Sequence, residues 1–292
     1  VREEKLRLFY ALEGGDNFWS KELRDLTAQV VLERILNGDY EKSSKSITRA
    51  LSRLHERSAK DLHEEIVAAG ARFITSEDVE WPHLLNDLIT PPIGLIVKGG
   101  RIFCDAIAMV GTRNPTSYGA RIAGEFSSAL ADRGIAVISG GAYGIDSHAH
   151  RGELAAEGRT YAVLASGVAV NYPAGNERLF NDISENGALI SEVMPHERAR
   201  PDRFLTRNRL IAALSRATIV VEAAFRSGSL RTARESAALL RAVLAVPGPI
   251  TSPTSDGCHR LIGERCAEII TSVADALELV DRSTCTLCGD GA

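Results

Sequence analysis

The chain has 292 residues, 45% of them hydrophobic and 25% charged. That length suits one large domain with an appendage, or two domains, and the composition excludes collagen-like, low-complexity and wholly disordered chains. No apolar run approaches the roughly 20 residues a membrane helix needs, and Val1-Arg-Glu-Glu-Lys does not open like a leader, so a cytoplasmic protein with no membrane partner is expected. Thirty-four cations against 38 acids give a net charge of -4, so any attraction to a polyanion must be local.

Residues 1–63 read as a small helical module: Leu6, Leu8, Phe9, Leu12 and then Leu26, Val30, Val31, Ile35, Leu36 recur at amphipathic spacing. Its 12 cations and 11 acids nearly cancel, and no catalytic signature stands out in it. Between Ile66 and Gly100, Trp81-Pro82, Thr90-Pro91-Pro92 and Lys98-Gly99-Gly100 punctuate a connector with room for one short strand at Gly94–Val97.

From Ala106 the rhythm changes to short apolar runs alternating with helical patterns. Strands are predicted at Ala106–Val110, Ile135–Ser139, Tyr161–Ala165, Ala188–Ser191, Ala217–Glu222 and Ala242–Val246. Helices are predicted between them at Tyr118–Arg133, Gly144–Glu157, Glu177–Glu185, Thr206–Ser215 and Gly228–Leu240. Strands apolar on consecutive residues are buried on both faces, which is the parallel-sheet case. The expected fold is α/β, with a doubly wound, mostly parallel sheet covered by helices and a small N-terminal helical domain. The expected division is 1–63, 64–280, and a cysteine-containing tail at 281–292, expected to be disordered.

In such a sheet, ligands sit beyond the carboxyl ends of the strands. After the first strand comes Gly111-Thr112-Arg113-Asn114-Pro115, with an arginine on the rim. After the second comes Ser139-Gly140-Gly141-Ala142-Tyr143-Gly144-Ile145-Asp146, a glycine loop entering a helix. Backbone N–H groups and the positive helix end at such a junction suit an anion, with a plain tight turn as the alternative and Asp146 as a cap on the helix start. It is neither Gly-x-Gly-x-x-Gly nor a Walker loop. A second small loop, Ser227-Gly228-Ser229-Leu230-Arg231-Thr232, also enters a helix. Arg207 and Arg209 are two residues apart and cannot share one helical face, so one can reach a ligand while the other holds the fold, unless the segment is extended.

All six lysines lie at or before Lys98, and ten arginines face four acids between His196 and Arg241. Arginine suits bidentate phosphate contact and base stacking; codon bias is the competing account of the shift. Catalytic patterns are weak. His148 and His150 do not converge as a helical metal pair, Ser166-Gly167 has no recognisable base, and no cofactor motif is present. Five scattered cysteines argue against a disulfide framework; Cys285 and Cys288 have half the spacing of a zinc ribbon without a second pair, so no metal site is expected.

One further pattern is cumulative. Trp81-Pro82, Pro91-Pro92, Val110-Gly-Thr-Arg113, Ser139-Gly-Gly-Ala-Tyr-Gly-Ile-Asp146, Tyr172-Pro173 with Asn176, Arg207-Asn208-Arg209, Ser227-Gly-Ser-Leu-Arg-Thr-Ala233 and Ala245-Val-Pro-Gly248 follow one another between Ile66 and Val280. In that order they resemble the DNA-processing protein A (DprA/Smf) family. The resemblance implies an extended Rossmann-like domain that binds single-stranded DNA, usually as a homodimer, and helps load the recombinase RecA in natural transformation or recombination, without catalytic turnover. It further implies that Arg113 and either Arg207 or Arg209 contact phosphates. The N–H groups about Gly140, Gly141 and Gly228 would lie beside them, and Tyr143 or Tyr172 would be free to stack on a base or remain in the core. Leu205 stands where many members carry proline. Two other classes share these phosphate loops: a mononucleotide sensor, and the nucleotide phosphoribohydrolases, whose Pro-Gly-Gly-x-Gly-Thr-x-x-Glu string is broken here at Phe225–Glu235.

Overall fold

The computed structural model describes residues 2–40, 45–102 and 105–285. Five helices come first: α1 (Arg2–Ala11), α2 (Asn17–Asp25), α3 (Ala28–Asn37), α4 (Lys45–Glu56) and α5 (Ala59–Ala68). Their starts are set locally: Asp16 accepts from the Phe18 and Trp19 amides at α2, and Ser58 and Asp61 form a reciprocal capping box at α5. The boundary expected at residue 63 falls inside α5, whose Leu62 and Ile66 pack onto the sheet.

Strands and helices then alternate: β1 (Ala71–Ile74), β2 (Leu95–Gly99), β3 (Ala106–Val110), α6 (Ser117–Ala131), β4 (Ala136–Ser139), α7 (Ile145–Ala155), β5 (Thr160–Leu164), α8 (Glu177–Asn186) and β6 (Ala188–Ser191). The second half follows as α9 (Pro201–Ala213), β7 (Ala217–Val220), α10 (Gly228–Ala238), β8 (Ala242–Ala245), α11 (Asp256–Gly263), β9 (Glu268–Ile269) and α12 (Val273–Cys285). The six main strands expected from apolar runs are present to within two residues at their ends. No sequence pattern marked β1, a four-residue strand with Arg72 in it, nor β9, α11 or α12. Cys285 closes α12, and Cys288 lies outside the described residues, as does Cys104.

Among the described residues, nine strands form one sheet in the order β1-β2-β6-β5-β4-β3-β7-β8-β9, parallel from β6 to β9, with β2 antiparallel to both of its neighbours. From β3 the chain winds outward through β4, β5 and β6, then returns to β7 beside β3 and winds the other way. This is the doubly wound fold, and its switch point lies between the carboxyl ends of β3 and β7.

β3 shows how the layers are made. Ile107 and Met109 face α6, α7 and α12 through Phe126, Leu130, Ile145 and Val280, whereas Ala106, Ala108 and Val110 face α9 and α10 through Leu210, Ile211, Leu214 and Leu230. The two alanines leave room for α9 to lie close to the sheet. α1 is apolar on two sides: Leu8, Ala11 and Leu12 enter the module's own core with Trp19, Val31 and Ile35, while Leu6, Phe9 and Tyr10 pack against Phe73, Leu164 and Phe180. Among the described residues, no helix is long and apolar enough to cross a membrane, and no group of three metal-ligating side chains converges.

Candidate nucleic-acid interface

A cleft of about 470 Å³ opens at the switch point, bounded by the loop after β3, by α9 and by the entry to α10. It is lined by Gly111, Thr112, Arg113, Arg207, Asn208, Ser227, Gly228, Ser229 and Thr232 from among the expected residues. Phe204, Leu205, Asp146 and Arg226 also line it, and sequence reasoning assigned none of these to ligand binding.

The two glycine loops differ in what their N–H groups do. At the first, the Asp146 carboxylate accepts from the Gly140 and Ala142 amides at 3.1 and 3.3 Å, and the Ile145 amide donates to the Thr112 carbonyl at 3.1 Å. The protein's own carboxylate thus fills the nest that the sequence offered to a phosphate. Asn176 donates to the Gly141 carbonyl and to Ser147, and the Ser139 hydroxyl donates to the Met109 carbonyl, so the loop is tied down from within the fold. Gly144 has φ +82, and a Cβ there would meet the Thr112 and Arg113 backbone, which is why the chain needs glycine at this point. Ser139, Gly140, Gly141 and Gly144 therefore shape the cleft from beneath and do not line it.

At the second loop the helix end is open. Ser227 caps α10, its hydroxyl accepting from the Ser229 amide at 3.3 Å. The Gly228 amide has no protein acceptor among the described residues, and beyond its chain neighbours and its own helix backbone no described atom lies within 4 Å of where its Cβ would be. Asn208 donates to the Gly228 carbonyl at 3.3 Å and ties α9 to this end.

Pro201 at the first position of α9 starts that helix five residues ahead of the predicted start, so Phe204–Arg209 is helical, not extended. The two arginines then part. Arg209 turns away from the cleft and grips Glu192 with contacts of 2.6 and 2.8 Å to its two carboxylate oxygens. Arg207 lies against Gly140 in the cleft wall and donates to the Val163 carbonyl. Burial lowers the pKa of Arg207 to about 10, with Arg113 adding to the effect and Asp146 opposing it, so it is still cationic at neutral pH. Burial likewise raises the Asp146 pKa above the usual carboxylate range, against the pull of Arg207.

At the mouth, Arg113 stands 5.4 Å from the Phe204 ring centre, and the Tyr172 ring is 5.6 Å from Phe204 on a tilted plane. Tyr143 and Tyr172 are each half exposed, and Tyr143 accepts from the Gly175 amide through its hydroxyl. Arg113 and Arg226 are exposed and make no ion pair with a described acid.

The rest of the arginine excess is largely consumed by the fold. Arg203 pairs with Glu13 and Glu197, Arg200 with Glu13 and Asp202, Arg216 with Asp105, Arg231 with Glu235, and Arg241 with Asp87. Local charge counting therefore overstates the cationic surface; the arginines at the mouth are few and specific.

The model of the DNA recombination-mediator protein A family matches residues 72–281. The chain belongs to that family. Among its members, a DprA-type DNA processing protein of Mycobacterium tuberculosis is 44% identical over 240 residues, covering 77% of this chain and 61% of that protein. The DNA processing protein DprA of Bacillus subtilis is 31% identical over 262 residues, covering 89% and 84%. The chain thus spans about six-tenths of the length of its mycobacterial relative.

Two solved members of the family share the fold. DNA processing protein A from Streptococcus pneumoniae superposes with a TM-score of 0.74 at 31% identity, over 91% of this chain and 98% of that one. The Helicobacter pylori protein, whose structure concerns its single-stranded DNA binding mode, superposes with a TM-score of 0.66 at 27% identity, over 73% and 98%.

Proposed function

We propose that the switch-point cleft holds the backbone of single-stranded DNA, and that the protein acts as a non-catalytic recombination mediator that protects the strand and hands it to RecA. The observation that carries this reading is the open amino end of α10, where the bare Gly228 faces a cleft bounded by Arg113, Arg207 and Arg226. A phosphate there meets an unpartnered N–H, the positive end of a helix and guanidinium groups. Phe204 and Tyr172 beside Arg113 offer rings for bases, and such contacts tolerate any sequence. Family membership supports the mediator role, and the single-stranded DNA binding mode of the Helicobacter pylori relative supports the choice of a single strand.

The homodimer, the RecA partnership and a cytoplasmic setting belong to the same proposal and rest on family likeness. The phosphoribohydrolase alternative finds little support: Glu235, the nearest counterpart of that family's acid, pairs with Arg231 and does not line the cleft. A mononucleotide sensor fits the phosphate contacts but makes less use of the rings at the mouth.

The test is fluorescence anisotropy with labelled oligothymidine across salt concentrations, for the wild type and Arg113→Ala. Binding that weakens steeply with salt and falls in the variant is expected. An absence of binding even at low salt would overturn the strand reading, and release of free base from a nucleoside monophosphate would point to the hydrolase.

A further inference from the structure

The turn between α1 and α2 touches the side of α9 that faces away from the cleft. Gly14 lies so close to Glu192 that a Cβ on it would overlap the carboxylate. Gly15, at φ +75, is similarly close to α9: its Cβ would stand 2.8 Å from Thr206 and 3.1 Å from the Arg209 Nε. The turn is stiff, because Asp16 caps α2 directly after it and Trp19 is buried in the module.

Charges join the same two bodies. Glu13 lies 2.6 Å from Arg49 and 3.6 Å from Arg53 on α4, and 3.2 and 3.6 Å from Arg200 and Arg203 at the start of α9. Glu197 bridges Arg53 and Arg203 at 2.6 and 3.0 Å. Within α9, the buried Arg209 is held by Glu192 through Nη2, while its Nε and Nη1 have no hydrogen-bond partner among the described residues. A small cavity of about 50 Å³ lies beside the contact between the turn and α9, and Arg207 lines both this cavity and the cleft.

From this geometry we infer that the Glu13-Gly14-Gly15 turn of the N-terminal module is a positioning element for the cleft. It clamps α9 through Glu192–Arg209 and Arg203, and so sets where Arg207 and Phe204 stand relative to the open end of α10. Leu210 and Ile211 seat the carboxyl half of the helix on the sheet, whereas its amino half, on the side of the turn, has polar, ionic contacts and a cavity, so the position of that half depends on the turn. The inference rests on the strand-binding reading of the cleft for its consequence, but the clamp itself is testable without DNA.

Hydrogen exchange on the full chain provides that test. Gly14→Ala, whose methyl displaces the Glu192 carboxylate without backbone strain, and Glu13→Gln, which loosens the network from a partly exposed position, should each speed exchange in residues 201–213 and leave α6 and α7 unchanged. Should Gly14→Ala unfold the module, Glu13→Gln carries the comparison. Unchanged protection in α9 overturns the clamp, whether or not DNA binds.

A double-mutant cycle with oligothymidine then reads the consequence. Gly14→Ala should weaken binding roughly tenfold in the wild type, the scale of one lost charged contact, and far less in an Arg207→Gln background. Additivity with Arg207→Gln while the wild type binds normally overturns the positioning role and leaves the strand-binding reading intact. A wild type that does not bind overturns that reading, and hydrogen exchange still decides the clamp.

Discussion

Arg207 lies against the bare Cα of Gly140, so close that a methyl group there would overlap its guanidinium. The guanidinium cannot easily yield, because one of its nitrogens is bonded to the Val163 carbonyl and Asp146 holds the Gly140 amide from the other side. Gly140→Ala is therefore expected to cost about 1–3 kcal/mol by overpacking, and to weaken DNA binding by moving Arg207. Denaturant unfolding and oligonucleotide titration of the same variant check both effects; an unchanged midpoint would count against the close fit.

Gly228 is the opposite case. Nothing lies within 4 Å of a Cβ built there, and alanine suits a helix better than glycine. Gly228→Ala should leave thermal stability unchanged or slightly raised, while its methyl enters the space offered to a phosphate. Weaker oligothymidine binding with no loss of Tm is expected; equal binding would move the phosphate site away from α10.

Arg113 and Arg226 are exposed at the mouth and carry no structural ion pair, so removing them should affect binding and little else. Each alanine variant should reduce the slope of log K against log salt by about 0.7, the value for one phosphate on a single strand. Arg209→Ala, by contrast, should lower stability by leaving Glu192 buried without its partner. The comparison is made with thermal melts and salt titrations on the three variants.

Under the sheet, α7 carries two buried groups with opposite pH behaviour. His150 donates from Nδ1 to Thr160, whose hydroxyl serves the Val137 carbonyl, and burial lowers the pKa of His150 to about 3. Glu153 has neither oxygen partnered, and burial raises its pKa to about 9. A histidine lowered on folding stabilises above its unfolded value, near 6.5, and loses that contribution as pH falls toward 3. A glutamate raised on folding is costless below its unfolded value, near 4.5, and costs stability as pH rises toward 9. The advantage of Glu153→Gln over the wild type should therefore grow from little at pH 4 to about 1–3 kcal/mol at pH 7, as read by denaturant melts across pH. A constant difference at all pH values would show that the carboxyl titrates normally.

Much of the architecture was legible because strands buried on both faces leave a signal that depends on few neighbours: five apolar residues at Ala106–Val110, and three followed by a serine at Ala188–Ser191, mark β3 and β6 to the residue. β1 left no such mark, since an edge strand of four residues with a charge in it owes its form to pairing with β2. Nor did the module boundary, because Leu62 and Ile66 look the same whether α5 packs on its own module or on the sheet.

For the site, residue type and loop position placed Arg113 and the Ser227–Thr232 loop beside strand ends, and family likeness joined them to Arg207 and Asn208. What the linear chain could not express was competition for the same donors. That Asp146 fills the first glycine nest while the Gly228 amide stays open depends on which acceptor reaches each N–H in space. That Arg207 faces the cleft while Arg209 is bound to Glu192, and that most of the other arginines between His196 and Arg241 are neutralised within the fold, follows from pairings across as many as 190 residues of chain, such as Arg203 with Glu13. Spacing decides which face of a helix a side chain occupies, and only packing decides what that face meets.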